Sequence, residues 1–142
     1  MHRIASCLIA LLFAPGLATA DAPPPAQAEP ADKAPAQLRA ATQFTIGGVG
    51  FAGTRSAAEN AFRALLTRAD AVAECKKLVA SATPAGQLYG LLGLKLQDPK
   101  AFDEAFPAFK DSKAAVSTAA GCMVFETTVG QIAADIRDGK LK

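Results

Sequence analysis

Apolar side chains recur at helical spacing over most of the chain after residue 54, as they do in amphipathic helices. Most of these stretches follow a residue that can cap a helix. Ser56 and Glu59 have the spacing of a capping box, in which each side chain satisfies an amide at the helix start. The predicted helices begin at Ser56, Asp70, Thr83, Asp98 and Thr128. The pattern therefore predicts four or five short helices.

The helix predicted over residues 84–97 is apolar on almost every side, so we expect it at the centre of the fold. Two other stretches, residues 44–51 and 116–127, have the β-branched and aromatic composition of strands, and the second favours a hairpin. We predict a mainly α fold: a compact array of four or five short helices, with HEAT-like or other α-hairpin packing and a minor β-hairpin or extended segment. The sequence contains no clear internal repeat that would support a true solenoid.

The N-terminal residues have the three-part layout of a secretory signal peptide. Arg3 precedes an apolar run over residues 4–13 that is too short to span a bilayer, and Ala18-Thr19-Ala20 fits a cleavage site. An uncleaved anchor is the alternative. Residues 21–43 hold five of the nine prolines and are predicted to be a disordered Pro/Ala-rich linker. The predicted divisions are a signal peptide (1–20), this linker (21–43) and one helical domain (44–142), located in the periplasm or secreted.

Charge and residue types exclude several classes of function. Basic and acidic side chains, 15 and 13 in the full sequence, are interspersed, which argues against a nucleic-acid partner or an anionic membrane surface. No second apolar stretch approaches the length of a membrane span. The only histidine, His2, is lost with the signal peptide, so histidine-dependent triads and the usual zinc sites lack their residues. We therefore expect no metal and no cofactor.

Cys75 and Cys122 are the cysteines that remain after cleavage. An even count in an oxidising compartment indicates a disulfide. The bond would close a loop of about 48 residues, for which the chain-entropy model gives about 4 kcal/mol of stabilisation. The alternative is two buried free thiols that pack as small apolar side chains. We predict the Cys75–Cys122 disulfide.

Residues 48–53 read GVGFAG, a literal match to the GxGxxG fingerprint of dinucleotide-binding folds. That fold requires a second parallel strand that ends in an acidic residue, and the sequence predicts helices instead. We therefore interpret the segment as a glycine-rich turn in which glycine permits positive φ.

Three glycines surround the lone tyrosine of the central helix, although each glycine costs about 1 kcal/mol inside a helix. Either a neighbouring helix packs closely on this strip, or the strip is a groove for a ligand or partner. The side chains of the groove's polar residues would then contact the bound molecule. The residues of the candidate groove are Gly86, Gln87, Tyr89, Gly90 and Gly93.

The AGQLYGLLGL segment of the central helix, followed later by Gly121-Cys122, resembles small exported bacterial proteins with an AGxLYxLxGL … GC pattern. The resemblance covers residues 57–138 and implies neither an activity nor a binding residue.

Three hypotheses of function follow from the residues. The leading one is an exported, non-enzymatic module that binds another protein of the cell envelope or exterior. The second is a carrier or sensor of a small apolar ligand, in a cleft beside the glycine-rich helix lined by Phe62, Leu88, Tyr89 and Leu92. The third is an enzyme that uses carboxylates alone. The acidic residues considered for it are Glu59, Asp70, Glu74, Asp103, Glu104 and Glu126.

Overall fold

The structure, a computed structural model, describes residues 31–141. Within these residues the fold is mainly helical with a small sheet, as predicted. The helices are α1 (Ala34–Arg39), α2 (Ala57–Leu66), α3 (Ala71–Ser81), α4 (Pro84–Gln97), α5 (Pro99–Ala105) and α6 (Val129–Arg137), and a 3-10 turn (Phe106–Ala108) follows α5. The strands are β1 (Gln43–Phe44), β2 (Gly48–Val49), β3 (Thr54–Arg55), β4 (Ala115–Ala120) and β5 (Met123–Thr128).

Four of the five predicted helix starts are capped by the predicted side chain. Ser56, Thr83, Asp98 and Thr128 each accept a hydrogen bond from the backbone N–H three residues later. Asp70 precedes α3 but does not cap it, because its backbone (φ −98°, ψ 14°) lacks the extended conformation that directs a cap toward the helix amides. Its carboxylate instead accepts hydrogen bonds from the Arg68 guanidinium at 2.7 and 2.8 Å.

Helix α4 lies at the centre of the fold, as its apolar pattern predicts. It packs against α1, α3, α5, α6 and β1. Its leucines at positions 88, 91, 92 and 94 are buried, and each buried leucine stabilises the fold by about 1.5–3 kcal/mol. No helix among the described residues has the length and apolar character needed to cross a membrane.

The predicted hairpin over residues 116–127 is confirmed. Strands β4 and β5 pair antiparallel, with Ala120 opposite Met123, and are joined through Gly121 and Cys122. Gly121 has a positive φ of 56°, a conformation that glycine adopts readily. Strand β1 pairs parallel with the other side of β4, so the order is β1-β4-β5 and β5 is an edge strand.

The predicted linker ends too late in the sequence, because residues 34–43 belong to the fold. Ala34 and Leu38 of α1 are fully buried, and Gln43 begins β1. Pro35 is compatible with α1 because it lies in the first turn, where a missing N–H leaves no helical hydrogen bond unmade. The predicted signal peptide and residues 21–30 of the predicted linker lie outside the described residues.

The predicted disulfide is wrong, since Cys75 and Cys122 are both free. Cys75 is buried where α3 crosses α4, and its sulfur packs against Gly93. Cys122 is exposed in the turn between β4 and β5. The two thiols are separated because one belongs to the helical core and the other to a surface turn.

Candidate functional site

The glycine strip of α4 is packed, so the predicted groove is closed. A Cβ atom at Gly90 would lie 2.8 Å from the carbonyl oxygen of Cys75, which is too close for a real side chain. A Cβ at Gly86 would collide with the carbonyl oxygen of Leu38, and one at Gly93 would collide with the Cys75 sulfur. Close approach of α1 and α3 therefore explains the three glycines.

Tyr89 is fully buried and binds the protein's own backbone. Its hydroxyl accepts a hydrogen bond from the N–H of Thr45 at 2.9 Å and donates one to the carbonyl of Thr45 at 2.8 Å. Burial raises the pKa of the Tyr89 hydroxyl. Gln87 is only partly buried on the same helix. The predicted ligand cleft is filled, because its lining residues Phe62, Leu88, Tyr89 and Leu92 are all buried.

The candidate carboxylates other than Glu59 either bind a basic side chain or are exposed. Asp70 binds Arg68, which lowers the pKa of the Asp70 carboxyl, and Glu74 binds Lys77 at 2.6 Å. Asp103, Glu104 and Glu126 are exposed. Within residues 31–141, no group of three or more histidine, cysteine, aspartate or glutamate side chains could hold a metal ion.

Glu59 has a different role from the one its spacing predicts. Ser56 caps the Glu59 N–H, but the Glu59 carboxylate does not return to the Ser56 backbone. It is fully buried, accepts a hydrogen bond from the Gly47 N–H at 2.9 Å, and binds the Arg63 guanidinium at 2.7 and 2.9 Å. Arg55 of β3 lies 3.7 Å from the same carboxylate. Glu59 therefore fixes the base of the β2–β3 hairpin to α2.

The GxGxxG segment forms the turn of this hairpin, which confirms the interpretation as a glycine-rich turn. Gly50 and Gly53 have φ values of 71° and 60°, in the left-handed region that favours glycine. The turn also contacts the β4–β5 turn: the Gly50 N–H donates to the Gly121 carbonyl at 2.7 Å, and the Gly121 N–H donates to the Gly48 carbonyl at 3.2 Å. Phe51, the next residue, is therefore held at the same end of the molecule as Cys122.

This end and the adjoining strand expose large apolar side chains. We call Phe51, Met123, Val124 and Phe125 the apolar edge. Phe51 is fully exposed, and the β5 residues have exposed fractions of 60%, 65% and 42%. Residues 47–54 and 119–125, which contain all four, include no charged residue. One other large apolar side chain of the described chain is similarly exposed: Leu96, at 57%, near the end of α4.

The apolar side chains of β5 project from both faces of the sheet. Successive residues of a strand point to opposite faces. Phe125 lies opposite Thr118, which pairs in turn with Phe44, so these three share a face, and Val124 points to the other. Within residues 31–141, β5 pairs with β4 alone. The backbone N–H and C=O of every second β5 residue therefore point outward without a strand partner in this part of the chain. This arrangement can accept an additional strand.

Strand β5 has few of the features that usually protect an edge from pairing. It contains neither proline, lysine nor arginine, and Glu126 is its one charged residue. A groove of about 300 Å³ lies beside it, between the sheet and α6. Its apolar lining residues include Phe44, Ile46, Phe125, Ile132 and Leu141.

The sequence interpretation predicted the strand but missed the apolar edge. The available signal was the pair of uncharged stretches at residues 47–54 and 119–125, which the fold brings together. Comparison of the chain with protein-family profiles, with curated proteins and with solved structures found no match.

Proposed function

We propose that this chain is an exported, non-enzymatic protein-interaction module that binds a protein partner by strand addition along β5. The apolar edge carries this proposal. Soluble proteins rarely expose several large apolar side chains together, and contiguous patches of this kind mark interaction sites. Four such side chains lie on the β2–β3 turn and on one six-residue strand.

Polar contacts fix the β2–β3 hairpin, which carries Phe51 of the apolar edge, and this supports a binding role. A buried carboxylate is costly unless it is paired, and Glu59 is paired with Arg63 and with the Gly47 N–H. These contacts hold the base of the β2–β3 hairpin, while the hydrogen bonds to Gly121 hold its turn. A surface that is ordered before binding loses less conformational entropy when the partner arrives.

Strand addition matches both chemical features of β5. The unpaired N–H and C=O groups of the edge supply main-chain hydrogen bonds, and pockets for alternate side chains supply specificity. The groove beside Phe125 is of a size to admit one apolar side chain of the added strand. Export rests on the signal-peptide pattern of residues 1–20 and assigns the module to the periplasm or the cell exterior.

Crosslinking in the host cells tests the proposal. Epitope-tagged wild type is compared with Val124→Ser and with Leu96→Ser, which removes an equally exposed apolar side chain elsewhere. We expect Val124→Ser to reduce the yield of adducts with any protein, including a second copy, by about tenfold, equivalent to ~1.4 kcal/mol. Leu96→Ser should leave the yield unchanged. Equal yields from all three proteins would contradict the proposal.

A further inference from the structure

We infer that the strand bound by β5 belongs to another protein, is extended and apolar, and carries one lysine or arginine directly opposite Glu126. This inference rests on the proposed function and names the chemistry of its partner. The exposed side chains of Met123, Val124 and Phe125 favour apolar residues across from them. The charge of Glu126 determines where the single basic residue of the partner lies.

Glu126 is the only charged residue in a long stretch of the chain. Residues 114–134, which include β4, β5 and their turn, contain no other lysine, arginine, aspartate or glutamate. Ser117 of β4 lies directly across from Glu126, and the Ser117 hydroxyl accepts a hydrogen bond from the Gln43 side-chain amide at 3.3 Å. The neighbouring strands therefore give Glu126 polar neighbours but no opposite charge.

The Glu126 carboxylate forms no ion pair with any residue of the described range 31–141. Glu59 and Glu74, by contrast, each bind a basic side chain of the chain itself. Asp103 and Glu104 resemble Glu126 in being exposed and without an ion pair in this range, but they belong to α5. Glu126 is therefore the one such carboxylate on the proposed binding strand.

The acidic residue on the other side of the edge, Asp135, has a cation already. Asp135 lines the groove beside Phe125, and its carboxylate binds the Lys140 ammonium at 2.9 Å. Phe125 and Glu126 are successive residues of a strand, so their side chains point to opposite faces. The groove should therefore receive an apolar side chain of the added strand, while the basic side chain lies with Glu126 on the other face.

Strand addition changes the surroundings of Glu126. The side chain directly across from it would stand about 4.5–5.5 Å away between Cβ atoms and would cover part of the carboxylate. A carboxylate that loses water without gaining a partner costs free energy. An opposite charge directly across stabilises the strand pair, and a like charge destabilises it. A second copy of β5 contains no lysine or arginine, so the charge favours a different protein.

The orientation of the added strand fixes the order of its residues. Antiparallel strands pair slightly more stably than parallel strands, so we expect antiparallel pairing. The residue that follows the one opposite Glu126 then lies across from Phe125, and the next two lie across from Val124 and Met123. The expected partner segment is therefore a lysine or arginine followed by three apolar residues.

Three capped peptides test this inference. Each has two threonines, one variable residue, the sequence valine-isoleucine-valine and a final threonine. The variable residue is lysine, glutamate or norleucine, which keeps the apolar length of lysine without its ammonium. NMR titration of the folded protein follows the backbone amides of β5. We expect the lysine peptide to have a Kd about threefold lower than the norleucine peptide and about tenfold lower than the glutamate peptide.

Charge substitutions in the protein locate the contact. With Glu126→Lys the order should reverse, so that the glutamate peptide binds most tightly. With Glu126→Gln the lysine and norleucine peptides should bind equally. Glu104→Lys makes the same change at an exposed carboxylate of α5, and this control should keep the wild-type order. Thermal melting checks that each variant is folded.

Four results would overturn the inference. The first is equal binding of the three peptides at β5, and the second is a lysine peptide that shifts no β5 amide at about 5 mM. The third is a reversal of the order by Glu104→Lys as well as by Glu126→Lys. The fourth is self-association through β5 that excludes the lysine peptide, which would identify a second copy as the occupant.

The crosslinking experiment separates failure of this inference from failure of the proposed function. If Val124→Ser still loses crosslinks after any of these results, β5 binds a protein whose charge does not match Glu126, and the proposed function stands. If Val124→Ser also leaves the yield of adducts unchanged, both fail.

Discussion

The crossing of α3 and α4 contains glycines that leave no room for a methyl group, whereas β5 presents three large apolar side chains to solvent. At the crossing, small residues allow two backbones to meet, and Cys75 is buried between them. At the edge, three consecutive large residues, Met123, Val124 and Phe125, remain 60%, 65% and 42% exposed. Both regions depart from what is usual for a helix interior or a strand surface. The difference teaches that contacts inside the fold explain the glycines, while no such contact explains the exposed side chains of the apolar edge among the described residues.

The largest loss of stability is expected when a side chain is added at Gly90, where α3 crosses α4. A Cβ at Gly90 would lie 2.8 Å from the Cys75 carbonyl oxygen and 3.0 Å from the Val79 backbone nitrogen, and neither backbone atom can move without shifting α3. Gly90→Ala should lower the free energy of unfolding in urea by about 1–3 kcal/mol, and Gly90→Leu should prevent folding.

An exposed position on the neighbouring helix provides the control for that prediction. Ala73→Leu adds bulk to the solvent-facing side of α3 and should change the free energy of unfolding by no more than about 0.5 kcal/mol. A stable, folded Gly90→Leu protein would show that the strip is an open groove. The contrast between a filled crossing and an open edge would then be lost.

The next-largest loss of stability is expected when the hydrogen bonds between Tyr89 and Thr45, which join the helical core to the sheet, are removed. Tyr89→Phe removes the hydroxyl that satisfies both the N–H and the carbonyl of buried Thr45. Leaving buried polar groups without partners costs about 1–3 kcal/mol, so the free energy of unfolding should fall by that amount. The Thr45 amide should also exchange faster with solvent. Unchanged exchange at Thr45 would show that Tyr89 does not hold β1.

The features that the sequence predicted correctly are local ones. A cap such as Thr83 depends on residues within one helical turn, and the β4–β5 hairpin depends on two adjacent strands and their turn. The central position of α4 followed from its nearly continuous apolar surface. In each case, the information lies within a short stretch of chain.

The incorrect predictions and the missed surface depend on contacts between distant residues. Cys75 could be placed only by knowing that α3 crosses α4 at Gly93, and α1 is ordered because Leu38 is buried in the core. The β-branched and aromatic composition of β5 indicates a strand, but it does not reveal that β1 pairs with β4 and leaves β5 at the edge. Nor does it reveal that the two glycine turns meet at Gly121.

The least perturbing test uses the two cysteines, one in each region. Burial, reinforced by the charge of Glu74, raises the pKa of the Cys75 thiol to about 11, so at neutral pH almost none of it is the reactive thiolate. Cys122 is exposed in the turn beside the apolar edge. In reduced, folded protein prepared without residues 1–20, a thiol reagent should therefore label Cys122 within minutes and Cys75 only as fast as the fold opens. Urea should make both thiols reactive, and Gly90→Ala should accelerate labelling of Cys75 but not of Cys122. Equal labelling rates of the two thiols in the folded protein would show that the α3–α4 crossing is as accessible to the reagent as the apolar edge.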